Sequence, residues 1–219
     1  MLPGEVACVV AGRRAALWLR AGSSSGLGVV MLHPHPHYGG NMDDDRVSVV
    51  LRELHQRDGV AATLRFDFGS DLSACPAAVE AALALIREQP CTSAAAIAGY
   101  SYGSAALCEL LCDRGREVLS GQKPLRAVAF LAPPLEMMLP GREESVSAGM
   151  SRLLEAGLHL TLVAGTEDDY CPEPQLRSWH ERLGGTALLH IVAGADHFFS
   201  RPEWLREAVR VVVGGLVDE

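Results

Sequence analysis

Apolar and polar positions along this chain change their period many times. Glu5–Val10 and residues 13–20, joined by Ala11-Gly12, are short β-favouring runs around a glycine turn, and they predict a hairpin that opens a sheet antiparallel. After the flexible turn Ser23-Ser24-Ser25-Gly26, residues 27–32 form a continuous apolar run that suits a strand buried on both faces, the first parallel one. Between Asp43 and Arg57, Val47, Val50, Leu51 and Leu54 recur at helical spacing. Acidic residues crowd the start of that segment and Gly59 follows its end.

The same alternation continues to the C-terminal end. Strand 60–68 is followed by helix 77–88, opened near Pro76 and stopped by Pro90, and then by a second buried apolar run at 94–98. Helix 105–114, strand Leu125–Leu131, a weaker helix at 145–155 and strand 158–164 come next. Helix 174–183, strand 187–192 and a terminal helix at 202–213 complete the series. Alternating β and α units predict a mostly parallel sheet with helices on both faces and ligands at the carboxyl ends of the strands. The longest connection without a clear period is 132–144, so no large lid is expected, and residues 1–219 are expected to form a single domain.

Composition narrows the function classes. A formal charge of −8 with no polybasic block, Lys123 being the single lysine, argues against nucleic acid as a partner. No apolar run reaches the roughly 18–20 residues of a spanning helix, so no membrane partner is expected. Six cysteines without C-x-x-C or zinc-type spacing, and no basic-then-apolar leader, predict free thiols and a cytoplasmic protein. Cys108 and Cys112 share one helix face, where small buried thiols are the plainer reading.

The chemistry-bearing pattern is Gly99-Tyr100-Ser101-Tyr102-Gly103, a G-x-S-x-G sequence where a buried strand ends and an Ala-rich helix begins. Glycines on either side leave room for the sharp turn that lifts a serine off the sheet. The alternative is an ordinary helix N-cap. A serine hydroxyl needs a base, and the base needs an orienting group. Two later strand ends supply candidates: Glu167, Asp168 and Asp169 after one, Asp196-His197 after the other. His197 is the best base, because His55, His159, His180 and His190 fall within or beside predicted elements. Asp168 is the preferred acid and Asp169 the runner-up; Asp196 adjoins His197 too closely in sequence to orient its ring. Backbone N–H groups of Tyr102 and of the loop His33-Pro34-His35-Pro36-His37-Tyr38-Gly39-Gly40 are the candidate oxyanion donors, His35 being favoured in the loop. Tyr38, Tyr100, Phe198 and Phe199 are candidate walls of an apolar substrate pocket, or simple packing. The alternate histidines His33, His35 and His37, followed by Asp43-Asp44-Asp45, also support a rival reading as metal ligands.

Across nearly its whole length the chain resembles the short, lidless α/β-hydrolases. Their first loop runs His-Pro-x-Pro-x-x-Gly-Gly into an Asp-rich helix start (here 33–45), their elbow Gly-Tyr-Ser-aromatic-Gly (99–103) and their late segment Ala-Asp-His-Phe-Phe (195–199). The resemblance implies an α/β-hydrolase fold with an eight-stranded sheet, a Ser101, Asp168, His197 triad, and kinship with dienelactone-hydrolase-like esterases and with scaffold proteins of that fold. It departs where an Arg-Gly-rich loop usually follows the Phe-Asn-Phe strand; here Phe66-Asp67-Phe68-Gly69-Ser70-Asp71 runs almost directly into a helix. The expected function is a serine hydrolase, monomeric or homodimeric, acting without cofactor or metal on a small-molecule ester or thioester. A metal-dependent hydrolase and a non-catalytic binding module remain the alternatives.

Overall fold

The computed structural model describes residues 1–23 and 25–217; Ser24, in the expected turn before the third strand, lies outside them, as do the last two residues. The described residues form eight strands: β1 (Glu5–Val10), β2 (Arg13–Leu19), β3 (Gly26–Leu32), β4 (Val60–Phe66), β5 (Thr92–Tyr100), β6 (Leu125–Leu131), β7 (His159–Glu167) and β8 (Leu188–Asp196). They form one sheet in the order β1-β2-β4-β3-β5-β6-β7-β8. β2 runs antiparallel to both its neighbours, and every other pair beyond it is parallel.

Alternation of side chains along the strands builds two cores. Val30 and Leu32 of β3, with Ile97 of β5, face α2 (Cys75–Glu88), α3 (Tyr102–Leu119), α5 (Glu143–Glu155) and α6 (Glu173–Arg182). Val29, Met31, Ala96 and Ala98 point the other way, toward α1 (Asp45–His55) and α7 (Pro202–Val217). The expected helix-on-both-faces architecture is therefore present. The connection 132–144 holds only the one-turn helix α4 (Leu135–Met138), and no large lid is built there.

Boundaries differ from the periodic reading where polar groups intervene. β4 stops at Phe66 rather than at residue 68: the Asp67 N–H still donates to Arg14 O (2.8 Å), the last bond toward β2, while its carboxylate accepts from Arg14 Nε (2.9 Å) and Met42 N (2.8 Å). β5 extends to Tyr100, and α3 continues past 114 through a non-helical residue at Arg114 (φ −130°, ψ 21°).

Arg65 of β4 is a buried charge that the apolar pattern passed over. Its Nε and Nη2 donate to the Glu5 carboxylate (2.9 and 2.6 Å), and its Nη1 donates to Met42 O (2.8 Å) and pairs with Asp43 (3.1 Å). Glu5 is buried as well, so the hairpin and the segment leading into α1 are tied together through one guanidinium.

Candidate active site

Strand register decides which loops meet. Leu32 of β3 pairs with Gly99 of β5, so the histidine-rich loop after β3 and the turn after β5 emerge side by side. Glu167 of β7 pairs with Asp196 of β8, which sets Asp168 and His197 next to each other, one residue beyond the pair. Close strand approach there requires glycine: a Cβ on Gly165 would stand 1.9 Å from Ala195 O.

Ser101 occupies the strained position between β5 and α3, with φ 52° and ψ −118°. Its N–H donates to Leu131 O (2.8 Å) and fixes the turn against β6. A Cβ on Gly99 would meet Gly103 C and Ser104 N at 2.4 Å, and one on Gly103 would meet Leu32 O at 2.7 Å, so both glycines are sterically required. Ser101 is the N-cap residue of α3 by position, but its hydroxyl makes no capping bond to that helix. Instead Oγ lies 2.9 Å from His197 Nε2. His197 Nδ1 lies 2.8 and 2.9 Å from the two oxygens of Asp168, both residues being buried.

Asp168 is itself held: Oδ1 accepts from Tyr170 N (2.9 Å) and Cys171 N (3.0 Å). Burial, reinforced by the Asp168 charge, pushes the Cys171 thiol up, so this neighbour stays protonated. Asp169 is exposed. Asp196 caps its own turn, Oδ1 accepting from Phe198 N and Ser200 N (3.0 Å each). The His197 loop is fixed from two further sides, its own carbonyl accepting from Tyr100 OH (3.2 Å) and the Phe198 carbonyl from Arg46 Nε (2.9 Å).

The histidine-rich loop is a compact ring. His35 O accepts from Tyr38 N and Gly40 N (3.1 Å each), and Gly39 turns left-handed at φ 84°. His33 lies beneath it, buried and stacked on Phe68 at 4.0 Å. Phe68 N donates to His33 Nε2 (3.1 Å), so Nε2 is unprotonated and Nδ1 carries the hydrogen donated to Pro34 O (2.6 Å). Among the described residues, the N–H groups of His35 and Tyr102 donate to no protein acceptor, and both residues line the cleft that contains Ser101.

These contacts count against the metal-ligand reading. His33 has both ring nitrogens engaged, His35 Nδ1 accepts from His37 N (3.1 Å), and His37 Nε2 faces Ser70 Oγ (3.1 Å). Among the described residues no group of three or more His, Cys, Asp or Glu side chains is arranged to hold a metal ion.

No protein-family profile and no curated protein matches the sequence. Solved structures do match it over nearly the full length. An α/β serine hydrolase homologue from Coxiella burnetii has a TM-score of 0.71 at 18% identity, with 99% of each chain covered. A lidless α/β serine hydrolase from Xanthomonas campestris gives 0.70 at 18%, covering 98% of this chain and 94% of that one. Est1E from Butyrivibrio proteoclasticus gives 0.70 at 15%, covering 96% of both. The chain has the lidless α/β-hydrolase fold.

Within this α/β-hydrolase fold, Ser101 opens into a cleft of about 290 Å³. Of the four expected wall residues, Tyr100 lines it from a buried position, Phe198 is a half-exposed wall and Tyr38 stands out at the rim, 87% exposed. Phe199 is a correction. It is 2% exposed, packs in the core with α1 and α7, and is not part of the cleft, because φ 47° at this residue turns its ring inward while Phe198 faces out. The sequence reading missed Tyr170, Met137 and Arg46, which also line the cleft. Tyr170 had a usable signal, an aromatic two residues after the acid on the same strand-end loop; Met137 sits in the segment that showed no period. Among the described residues no helix is long and apolar enough to cross a membrane.

Burial holds His33 below the usual histidine range, against the partial opposing effect of its bond to Pro34 O. A depressed folded value means that the unfolded chain binds the proton more readily. This contribution to stability is therefore complete above about pH 6.5 and is lost as pH falls from there through the folded value. Urea midpoints at pH 7.5 and 5.0 are expected to differ less in His33→Asn than in wild type. Equal differences in the two proteins would contradict this assignment.

Proposed function

We propose that the protein is a serine hydrolase that cleaves a small ester or thioester through an acyl-enzyme. The observation that carries this reading is the unbroken chain Ser101 Oγ, His197 and Asp168, with links of 2.9 and 2.8 Å, on a strained strand-to-helix turn. In this reading Ser101 Oγ attacks the carbonyl carbon while His197 Nε2 takes its proton. Asp168 fixes the imidazole with Nδ1–H toward the carboxylate and stabilises the imidazolium. The oxyanion is met by the otherwise unused N–H groups of Tyr102 and His35, at the positive end of α3. Collapse breaks the bond to the leaving oxygen or sulfur, which receives the proton from His197. Water, deprotonated by the same imidazole, then releases the acid and restores Ser101.

A fluorophosphonate probe tests the mechanism. Wild type is expected to be labelled on Ser101 and to hydrolyse p-nitrophenyl butyrate. Absence of labelling, or labelling retained in Ser101→Ala, would refute the activated serine.

The same reading gives His33 a positioning role. Pro34 O and His35 N–H belong to one rigid trans peptide, so the hydrogen bond from His33 Nδ1 fixes the direction of the His35 donor. His33→Phe keeps the ring on Phe68 but loses both nitrogens, and kcat is expected to fall about 10–100-fold with KM nearly constant. His33→Asn, whose amide can still reach Pro34 O, is expected to recover most of that loss. A fall confined to KM, or no difference between the two variants, would contradict the role.

A further inference from the structure

The described residues contain nine large apolar side chains that are substantially exposed, and four of them surround one place: Tyr38, Met137, Tyr170 and Phe198 all line the Ser101 cleft. Single exposed apolar residues are ordinary on a protein surface, whereas a cluster around a cavity marks something that covers it. Two of the four flank the base. The Tyr170 ring centroid is 4.6 Å from that of His197 at a tilt of 48°, and Phe198 stands edge-on at 5.4 Å and 87°. Each is about half exposed.

Their exposure does not come from loose loops. Tyr170 donates its N–H to the Asp168 carboxylate and accepts from Leu135 N at its carbonyl (3.1 Å). Phe198 donates to Asp196 and accepts from Arg46. The backbone that carries each ring is thus held in place before any ligand arrives, which lowers the ordering cost of binding against them.

On the serine-hydrolase reading above, the side of the cleft on which these rings stand has a definite meaning. The proton on His197 Nε2 must reach the departing oxygen or sulfur over roughly 2.6–3.2 Å. The first atoms of the leaving group therefore lie against His197, and whatever they carry passes Tyr170 and Phe198. On the same reading the carbonyl oxygen is met by the N–H groups of His35 and Tyr102, whereas the two rings contact His197. We infer that the cleft selects its substrate by the alcohol or thiol it releases, and that this leaving group carries an aromatic ring seated between Tyr170 and Phe198. Flat rings suit such walls, because offset and edge-on aromatic pairs gain beyond the area they bury.

Three simple esters with similarly basic alcohols separate the two halves of the substrate: ethyl acetate, benzyl acetate with its ring on the alcohol, and ethyl phenylacetate with its ring on the acid. Followed by pH-stat, kcat/KM is expected to be about 30-fold higher for benzyl acetate than for ethyl acetate. Ethyl phenylacetate is expected within about threefold of ethyl acetate. Tyr170→Ala and Phe198→Ala should each lower the benzyl-to-ethyl ratio about tenfold, chiefly through KM. Turnover with no alcohol-side preference, or with an equal gain for ethyl phenylacetate, overturns this inference alone. Silence with all three esters together with absent fluorophosphonate labelling overturns the serine-hydrolase reading, and this inference with it.

Discussion

Ser101→Ala is expected to lower kcat for p-nitrophenyl butyrate by about 10⁴–10⁶-fold while the protein stays folded. The substitution removes one oxygen from a hydroxyl that makes no capping bond, so little stability depends on it. What disappears is the nucleophile 2.9 Å from His197 Nε2. His197→Ala should cost a similar factor, and the double variant no more than either single one, because the two groups act as a unit. Asp168→Asn is expected to lose about 10⁴-fold, since an amide that donates toward Nδ1 favours the wrong imidazole tautomer. Steady-state rates with circular dichroism as the folding control decide the matter. Retention of activity within tenfold in Ser101→Ala would remove the serine from the reaction.

The largest expected effect on stability lies far from that cleft in sequence. Glu5→Ala leaves the Arg65 guanidinium inside the sheet with only Asp43 as its remaining acidic partner, at 3.1 Å. Breaking a buried pair by removing one member typically costs about 3–5 kcal/mol, because the other charge keeps its desolvation penalty. Asp43 is partly exposed and compensates in part, which points to the lower end of that range. The double variant Glu5→Leu with Arg65→Met is expected to be more stable than Glu5→Ala, since no charge is then stranded. Chemical denaturation of the three proteins provides the comparison. A loss below about 1 kcal/mol in Glu5→Ala would show that water reaches Arg65.

Much of the architecture was legible because parallel strands buried on both faces read as unbroken apolar runs, such as 27–32, and helices as repeats at three and four residues, such as Val47, Val50, Leu51 and Leu54. The turn at Ser101 was legible from its glycines, which the close backbone contacts require. The choice of Asp168 over Asp169 was legible only as a preference. It depends on the register of β7 against β8, a long-range pairing that no local pattern encodes, together with the nearby Tyr170 and Cys171 N–H groups that hold the Asp168 carboxylate. Arg65 was invisible for the opposite reason, as its partners lie 60 residues upstream and around 20 residues upstream. Phe198 and Phe199 are the same residue type, and the turn around them, with its positive backbone sign at residue 199, separates their fates.

That sign has a consequence for how such a protein can change. Two adjacent, chemically equal rings answer to different masters: one is fastened into packed interior, the other is left facing water beside the imidazole. Variation at position 198 can redraw what the opening accepts while the foundation stays untouched, whereas position 199 has no such freedom. Substrate preference and structural integrity are thereby separable across a single peptide bond, and libraries randomised at 198 should yield folded proteins far more often than libraries randomised at 199.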